Sequence, residues 1–380
     1  MSLRYDSGIN KPGFNALGAQ TSTTTYQPYL YSWGSNGAGQ IGDGTTTDRS
    51  SPVLIGALTT WSSIAGGGQH TITRKTDGTL WTWGFNYSGQ LGLGNTTNYS
   101  SPKQVGALTT WLNVASGYNA VLATKTAGTL WTWGINADGQ LGVGDSGAYT
   151  DRSTPIQVGA LTTWSILAAG AEFCLAIKTD GTLWSWGKNG SGQLGDGTTT
   201  SRSSPVQVGA LTTWSSIGGG GTFSIALQTN GKLWTWGRGA SGELGLNDTT
   251  DRSSPTQVGA LTTWSKVAVG QYHGLAIKTD GTLWSWGSNV TYGQLGLGNT
   301  TSYSSPKQVG TLTTWSTVSC GDSFSIALKT NGTLWTWGRG ASGPLGLGNT
   351  TNYSSPKQVG ALTTWLTIDG GSFNTLALLY

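Results

Sequence analysis

The sequence predicts an all-β fold: a seven-bladed β-propeller of four-stranded blades, its ring closed by strands from both termini and preceded by an extended N-terminal arm. Three observations predict it. A phrase of the form DGTLWSWG returns about every 50 residues, every local pattern within the repeat is a strand pattern, and the chain enters and leaves the repeat midway.

The period is set by tryptophan. Trp-Gly pairs stand at Trp33, Trp83, Trp133, Trp186, Trp236, Trp286 and Trp337, spaced 50, 50, 53, 50, 50 and 51 residues apart. A second series, in LTTW, comprises Trp61, Trp111, Trp164, Trp214, Trp264, Trp315 and Trp365. A third, two residues before each Trp-Gly pair, comprises Trp81, Trp131, Trp184, Trp234, Trp284 and Trp335, with Tyr31 in the first copy. Together they account for all 20 tryptophans, so none is left for a separate role.

Within one unit the first element is TTWSSIAGG, whose later equivalents VASG, LAAG, IGGG and VAVG are built of tiny residues that suit strands crowded round a narrow axis. Asp77-Gly78, repeated as Asp180-Gly181, Asn230-Gly231, Asp280-Gly281 and Asn331-Gly332, predicts a type I′ hairpin turn joining the next two strands. LWTW then alternates with period two, placing Trp81 and Trp83 on one face. Each unit ends on SSPKQVG or a close relative. Its proline (Pro52, Pro102, Pro155, Pro205, Pro255, Pro306 or Pro356) cannot donate to a ladder, which predicts an edge strand. No stretch has helical periodicity. A Trp side chain buries about 150–250 Å², so a ring of them is expected to fill the wedge that opens between blades away from the axis.

The ends complete the ring. The chain starts the repeat at YLYSWG, lacking the two inner strands, and stops after NTLALLY, lacking the two outer ones. The strand around Leu30–Trp33 is therefore expected to pair with the strand around Asn374–Leu379. This divides the chain into a propeller over 29–380 and an arm over 1–28. The arm mixes apolar Leu3, Tyr5, Ile9, Phe14 and Leu17 with Gly, Pro, Asn and Thr, and is expected to anchor the propeller or dock on another subunit.

Composition excludes several classes. Charged residues make up only 9%, net charge is +4 and no Lys/Arg run exists, so no nucleic-acid footprint is present. No apolar run approaches a membrane span and the N-terminus has no secretory h-region. Cys174 and Cys320 fall at different repeat positions and are expected to be buried thiols. GDGTTTDRS (42–50) and LNDTTDRS (246–253) match no calcium-loop pattern and predict Asx turns. Catalytic, cofactor and metal sites are all expected to be absent, and no cofactor is implied. One feature stands out. Three residues before each proline comes an Arg or a Tyr: Arg49, Tyr99, Arg152, Arg202, Arg252, Tyr303 and Tyr353. A propeller puts these at one height in a ring, and both types are enriched at interfaces.

VAVGQYHGLAIKTDGTLWSWGSNVTYGQLGLG (267–298) closely resembles the repeat of the regulator of chromosome condensation (RCC1-like) family, with its Gly-x-x-His segment, Gly hairpin, Trp-Gly and Gly-Gln-Leu-Gly. The resemblance covers residues 29–380 and implies a seven-bladed propeller. Departures limit what else it implies. The family histidine survives only as His70 and His273, replaced elsewhere by Ala120, Phe173, Phe223, Phe324 and Asn374. Founding members exchange guanine nucleotide on a small GTPase through a wedge-like insertion, whereas the longest insertion here is three residues, in VGDSGAYTDRSTP. They hold chromatin with a basic tail, whereas this N-terminus offers Arg4 and Lys11. The Gly-Trp-Arg-His-Thr motif of a plant photoreceptor member is absent.

The expectation is a non-enzymatic structural and interaction module, specifically a bacteriophage virion protein. It would decorate a capsid or tail or contact a host receptor, held by its arm to protein subunits of the assembly. The rim would meet a host surface glycan or protein. The Thr/Ser/Asn/Gly-rich surface, near-identical repeats and sequons such as NTT at 95, 299 and 349 motivate it. Alternatives are a cellular regulator of the chromosome-condensation type acting on a small GTPase or chromatin, and a bacterial surface adhesin or designed propeller. Location follows function: the virion, or otherwise the cytoplasm.

Overall fold

Strand after strand of six or five residues, all antiparallel, makes up the computed structural model, which describes residues 28–57 and 60–380. Among the described residues there is no helix. Seven four-stranded sheets result. In the blade spanning 61–104, β3 (Trp61–Gly66) is innermost, followed by β4 (His70–Lys75), β5 (Leu80–Gly84) and the outer strand β6 (Tyr99–Gln104). Five more blades repeat this plan over 111–157, 164–207, 214–257, 264–308 and 315–358.

The remaining blade is composite. β1 (Tyr29–Gly34) and β2 (Arg49–Leu54) join β27 (Trp365–Gly370) and β28 (Asn374–Leu379) in the order β2-β1-β28-β27. Leu30 faces Leu378 and Trp33 faces Thr375, so the ring is closed by strands from both ends. The arm residues Leu3, Tyr5, Ile9, Phe14 and Leu17 lie outside the described residues.

Tryptophan fills the gaps between blades. Phe173, Leu175, Ile177, Leu183 and Leu194 of one blade pack with Trp214 and Trp236 of the next in one apolar cluster, and Trp234 lies against it. Every Trp of the Trp-Gly series is fully buried. Each also donates its Nε1–H to a main-chain carbonyl of the preceding blade, as Trp83 does to Gln40 and Trp236 to Gln193, both at 2.9 Å. Trp33 closes the circuit on Pro344. The third series is half-buried. Five of its seven rings are capped by lysines, such as the Lys75 ammonium 3.6 Å from the Trp81 ring centre.

Two local expectations are refined. Prolines do sit on the outer strands, where the ladder skips between Ser32↔Val53 and Gly34↔Arg49 and no donor is required. The hairpin turn is not type I′, which needs positive φ at both central residues. Gly78 alone is left-handed (φ 80°), while the Asp77 carboxylate accepts from the Thr79 N–H at 2.9 Å and holds the aspartate on the ordinary side. The turn is a three-residue connection ending in a glycine bulge.

Candidate functional site

One end of the ring carries the β3–β4 turns and the long β5–β6 loops, together with their counterparts in the other blades. The other end carries the hairpin turns and the GALTTW crossovers. These crossovers are the same in every copy but one, which reads GTLTTW. The loop end is different. The inner turns read Gly68-Gln69, Tyr118-Asn119, Ala171-Glu172, Gly221-Thr222, Gln271-Tyr272, Asp322-Ser323 and Ser372-Phe373, no two alike. The residue after each Trp-Gly pair varies with them: Ser35, Phe85, Ile135, Lys188, Arg238, Ser288 and Arg339.

Backbone geometry explains how such divergence is carried. The turns hydrogen-bond from blade to blade through main-chain atoms, as in Gly221 N to Gln271 O (3.0 Å), Gln271 N to Asp322 O (3.1 Å) and Asp322 N to Ser372 O (3.2 Å). The glycine before each pair is needed for close approach. A Cβ at Gly270 would come within 2.2 Å of the His273 ring. Main chain thus sets the shape, and the two following residues can vary around the mouth of the axial channel.

That channel is a cavity of about 370 Å³ walled by the tiny residues of the inner strands. Tyr118 and Asp322, from blades on different sides of the ring, meet at its mouth with the hydroxyl donating to the carboxylate at 2.8 Å. Burial, and then the Asp322 charge, push the Tyr118 hydroxyl up to about 12. Burial raises the Asp322 carboxyl against the lowering effect of its bonds from Tyr118 and Ser372. Deeper in, Asp369 of the closing blade accepts from Gly66 N (2.8 Å) and the Ser319 hydroxyl (2.9 Å), tying the blades on both sides of it. Burial lifts its carboxyl to about 6.

Around the mouth, arginines lie on aromatic rings. The Arg238 guanidinium is 5.2 Å from the Tyr272 ring centre, and that of Arg339 is 4.9 Å from Phe373 and 5.6 Å from Tyr292. Aromatic and arginine side chains are the types that dominate protein-binding hot spots. Among the described residues no His/Cys/Asp/Glu group could hold a metal ion. His70 and His273 sit in separate blades, fully buried, with burial pulling their pKa down to about 4 and about 3. Cys174 and Cys320 are free, buried and raised by burial. None of these groups forms a constellation for acid–base or nucleophilic chemistry.

The seven rim residues each begin an outer strand opposite the glycine of the Trp-Gly pair, as in Gly34↔Arg49, Gly84↔Tyr99 and Gly187↔Arg202. All seven take the same register position in their blades, and Arg152, Arg202 and Arg252 belong to consecutive blades. Their side chains, however, bond to their own loops. Arg49 pairs with Asp43 (2.6 Å), Arg202 with Asp196 (2.8 Å), Arg252 with Asp248 (2.7 Å) and Arg152 with Asp145. The Tyr99, Tyr303 and Tyr353 hydroxyls accept from Asn95, Asn299 and Asn349. The aspartates of the two calcium-like loops also make Asx turns, Asp43 to Thr45 N and Asp248 to Thr250 N. The mouth residues were missed by the motif reading. Aligning the seven copies column by column would have found them.

Comparison with known proteins agrees with this architecture. A family model described as RCC1-like domain matches residues 113–309, more than half of the chain. Models of the regulator of chromosome condensation (RCC1) repeat match 29–73, 77–124 and 331–378, and also 61–90 and 315–343. None of the curated proteins is a significant sequence match. Among solved structures, human WBSCR16 is 21% identical with a TM-score of 0.83, covering 93% of this chain and 98% of its own. Prp20p from Saccharomyces cerevisiae, described with its binding properties to Gsp1p and histones, is 21% identical with a TM-score of 0.84, covering 94% and 92%. Yeast RCC1 (Prp20), solved with Kap60 bound, is 20% identical with a TM-score of 0.81, covering 100% and 96%. These matches overturn the expectation of a bacteriophage virion protein, its capsid or tail partners and its virion location. The matched family models are those of the regulator of chromosome condensation, the family from which the cellular-regulator alternative comes.

Proposed function

The chain belongs to the RCC1-like domain family, and from that premise we propose that it is a cellular protein-recognition propeller, a regulator that engages a small GTPase through the mouth of its loop end. The observation that carries this reading is the contrast between the two ends of the ring. The GALTTW crossovers of one end are the same in every copy but one, whereas the inner turns of the loop end and the residues beside them differ from copy to copy. A surface that only had to fold would have no use for seven different turns.

The chemistry of that surface favours a protein partner. It offers half-buried Tyr118, Tyr272, Tyr292 and Phe373 beside Arg238 and Arg339, a mixture suited to a protein interface. Chromatin is the weaker reading, because charged residues are 9% of the chain and no basic run is present. With no long insertion to act as a wedge, the expected activity is binding, with exchange left to what the mouth alone achieves.

The test is binding of purified chain to small GTPases, Gsp1p first, in GDP-bound, GTP-bound and nucleotide-free forms, alongside release of labelled GDP. Micromolar or tighter binding, lost when Tyr118 and Tyr272 are both changed to Ala in a protein of unchanged melting temperature, supports the reading. Binding unaffected by that double change, or no binding to any form, refutes it.

A further inference from the structure

Arg339 lacks the counter-ion that the equivalent arginine of another copy has. Three copies carry a cation after the Trp-Gly pair: Lys188, Arg238 and Arg339. Lys188 is paired with Glu172. Arg238 is paired at 3.6 Å with Glu243, a fully buried carboxylate supplied by GELG. In the copy that holds Arg339 the same position is Pro344, in GPLG, and among the described residues Arg339 makes no ion pair.

The two arginines are otherwise placed alike. Each main-chain N–H bonds to the inner turn of its own blade, Arg238 to Thr222 O and Arg339 to Ser323 O, both at 2.9 Å. Each guanidinium lies over the aromatic ring of the following blade, Tyr272 or Phe373. Arg339 gains a second ring, Tyr292, from the preceding blade. Its Nε is buried without a hydrogen-bond partner. Asp322 feels its charge but makes no ion pair with it, and the Asp322 carboxylate already accepts from Tyr118. A half-buried guanidinium held against two rings, with no ion pair among the described residues, is prepared for a carboxylate.

We propose that Arg339 is the anchor for a carboxylate of an acidic segment on a protein partner, the Asp or Glu side chain meeting the solvent-facing part of the guanidinium. Phe373 and Tyr292 exclude water around the pair and offer apolar contact to the residues beside the acid. The proposal rests on the loop-end reading above and names the chemistry of that same surface.

The repeat supplies its own controls. Glu is already accommodated at the position of Pro344 in the blade of Arg238, and Gln in five others, with the same main-chain carbonyl accepting from the next tryptophan. Pro344→Glu therefore installs an internal counter-ion, while Pro344→Gln changes shape without charge. The probe is a fluorescein-labelled peptide of alternating Glu and Leu, with a Gln/Leu peptide as its neutral partner, read by anisotropy against the full chain. The expected result is binding of the acidic peptide only. Arg339→Gln and Pro344→Glu should each weaken it about tenfold or more, with Pro344→Gln within about threefold of the parent. No selectivity for the acidic peptide overturns the proposal, as does full binding by Arg339→Gln or Pro344→Glu. If GTPase binding depends on Tyr118 and Tyr272 but not on Arg339 or Pro344→Glu, the loop-end reading stands and the carboxylate anchor falls. If it depends on none of these, both fall.

Discussion

Trp236→Ala tests whether the tryptophans hold blades together. The ring is fully buried, packs against the apolar face of the preceding blade, and donates to Gln193 O at 2.9 Å. Truncating a buried aromatic costs about 3–5 kcal/mol. The orphaned carbonyl adds little, because the Ser224 hydroxyl also donates to it at 2.8 Å. Trp236→Phe keeps most of the ring and loses the hydrogen bond, worth about 1 kcal/mol, so it should cost about 1–2 kcal/mol. Unfolding entropy of about 2.1 cal/mol/K per residue over 380 residues gives roughly 0.8 kcal/mol/K. The alanine variant should therefore melt about 4–6 °C below the parent and the phenylalanine variant about 1–3 °C below. The assay is calorimetry with far-ultraviolet dichroism. A closed ring should still melt in one transition. An alanine variant that melts with the parent, or two resolved transitions, refutes the inter-blade role.

Removing the last strand, residues 374–380, should cost the whole ring its cooperative melting, because that strand joins the two ends of the chain; a sharp parental transition would count against closure by β1 and β28. Acid should destabilise the protein through its histidines. His70 titrates near 6.5 when unfolded but at about 4 when buried. Between those values the unfolded chain binds more protons, so stability falls as pH falls. His70→Phe, the residue found at this position in three other blades, should remove roughly 3 kcal/mol of that loss on the conversion of 1.36 kcal/mol per unit, seen in urea titrations at pH 7 and 4.5. Asp369 acts in the opposite sense: its raised carboxyl binds a proton first in the folded state and adds stability as pH falls below about 6, so Asp369→Asn should steepen the acid destabilisation in the same urea titrations. Changing Arg152, Arg202 and Arg252 together to Ser should lower stability by less than about 1 kcal/mol per half-exposed pair and leave GTPase binding unchanged, measured on the same sensor surface.

Blade number, strand order and ring closure were legible because burial dictated them. Trp at three fixed positions, tiny residues on the inner strand and proline on the outer one each answer to a packing constraint repeated seven times. The turn type was misread because Asp-Gly alone does not distinguish a type I′ turn from a three-residue bulge; the Asp77–Thr79 bond decides it. The rim was read as a ring of interface residues, and each of its side chains bonds within its own loop. That Arg49 would meet Asp43 depended on how the intervening loop folds, which no period in the sequence encodes. The mouth escaped notice for the reverse reason. Motif reading rewards what recurs, and Tyr118, Tyr272, Asp322 and Phe373 are the residues that do not recur. The viral assignment failed because repetition and a charge-poor surface describe how a propeller is built, whatever cell or particle carries it.

The most direct test of the account is to erase the divergence. Replacing Tyr118-Asn119, Gln271-Tyr272, Asp322-Ser323 and Ser372-Phe373 each with the Gly-Thr of Gly221-Thr222 would give the ring a nearly uniform mouth. Main-chain bonds between turns do not depend on those side chains, so the symmetrised protein should fold to the same dichroism spectrum. Its binding to the small GTPase should fall at least about tenfold, the scale of losing a hot-spot cluster. A folded, symmetrised ring that binds the GTPase as tightly as the parent would contradict the claim that recognition lies at the mouth.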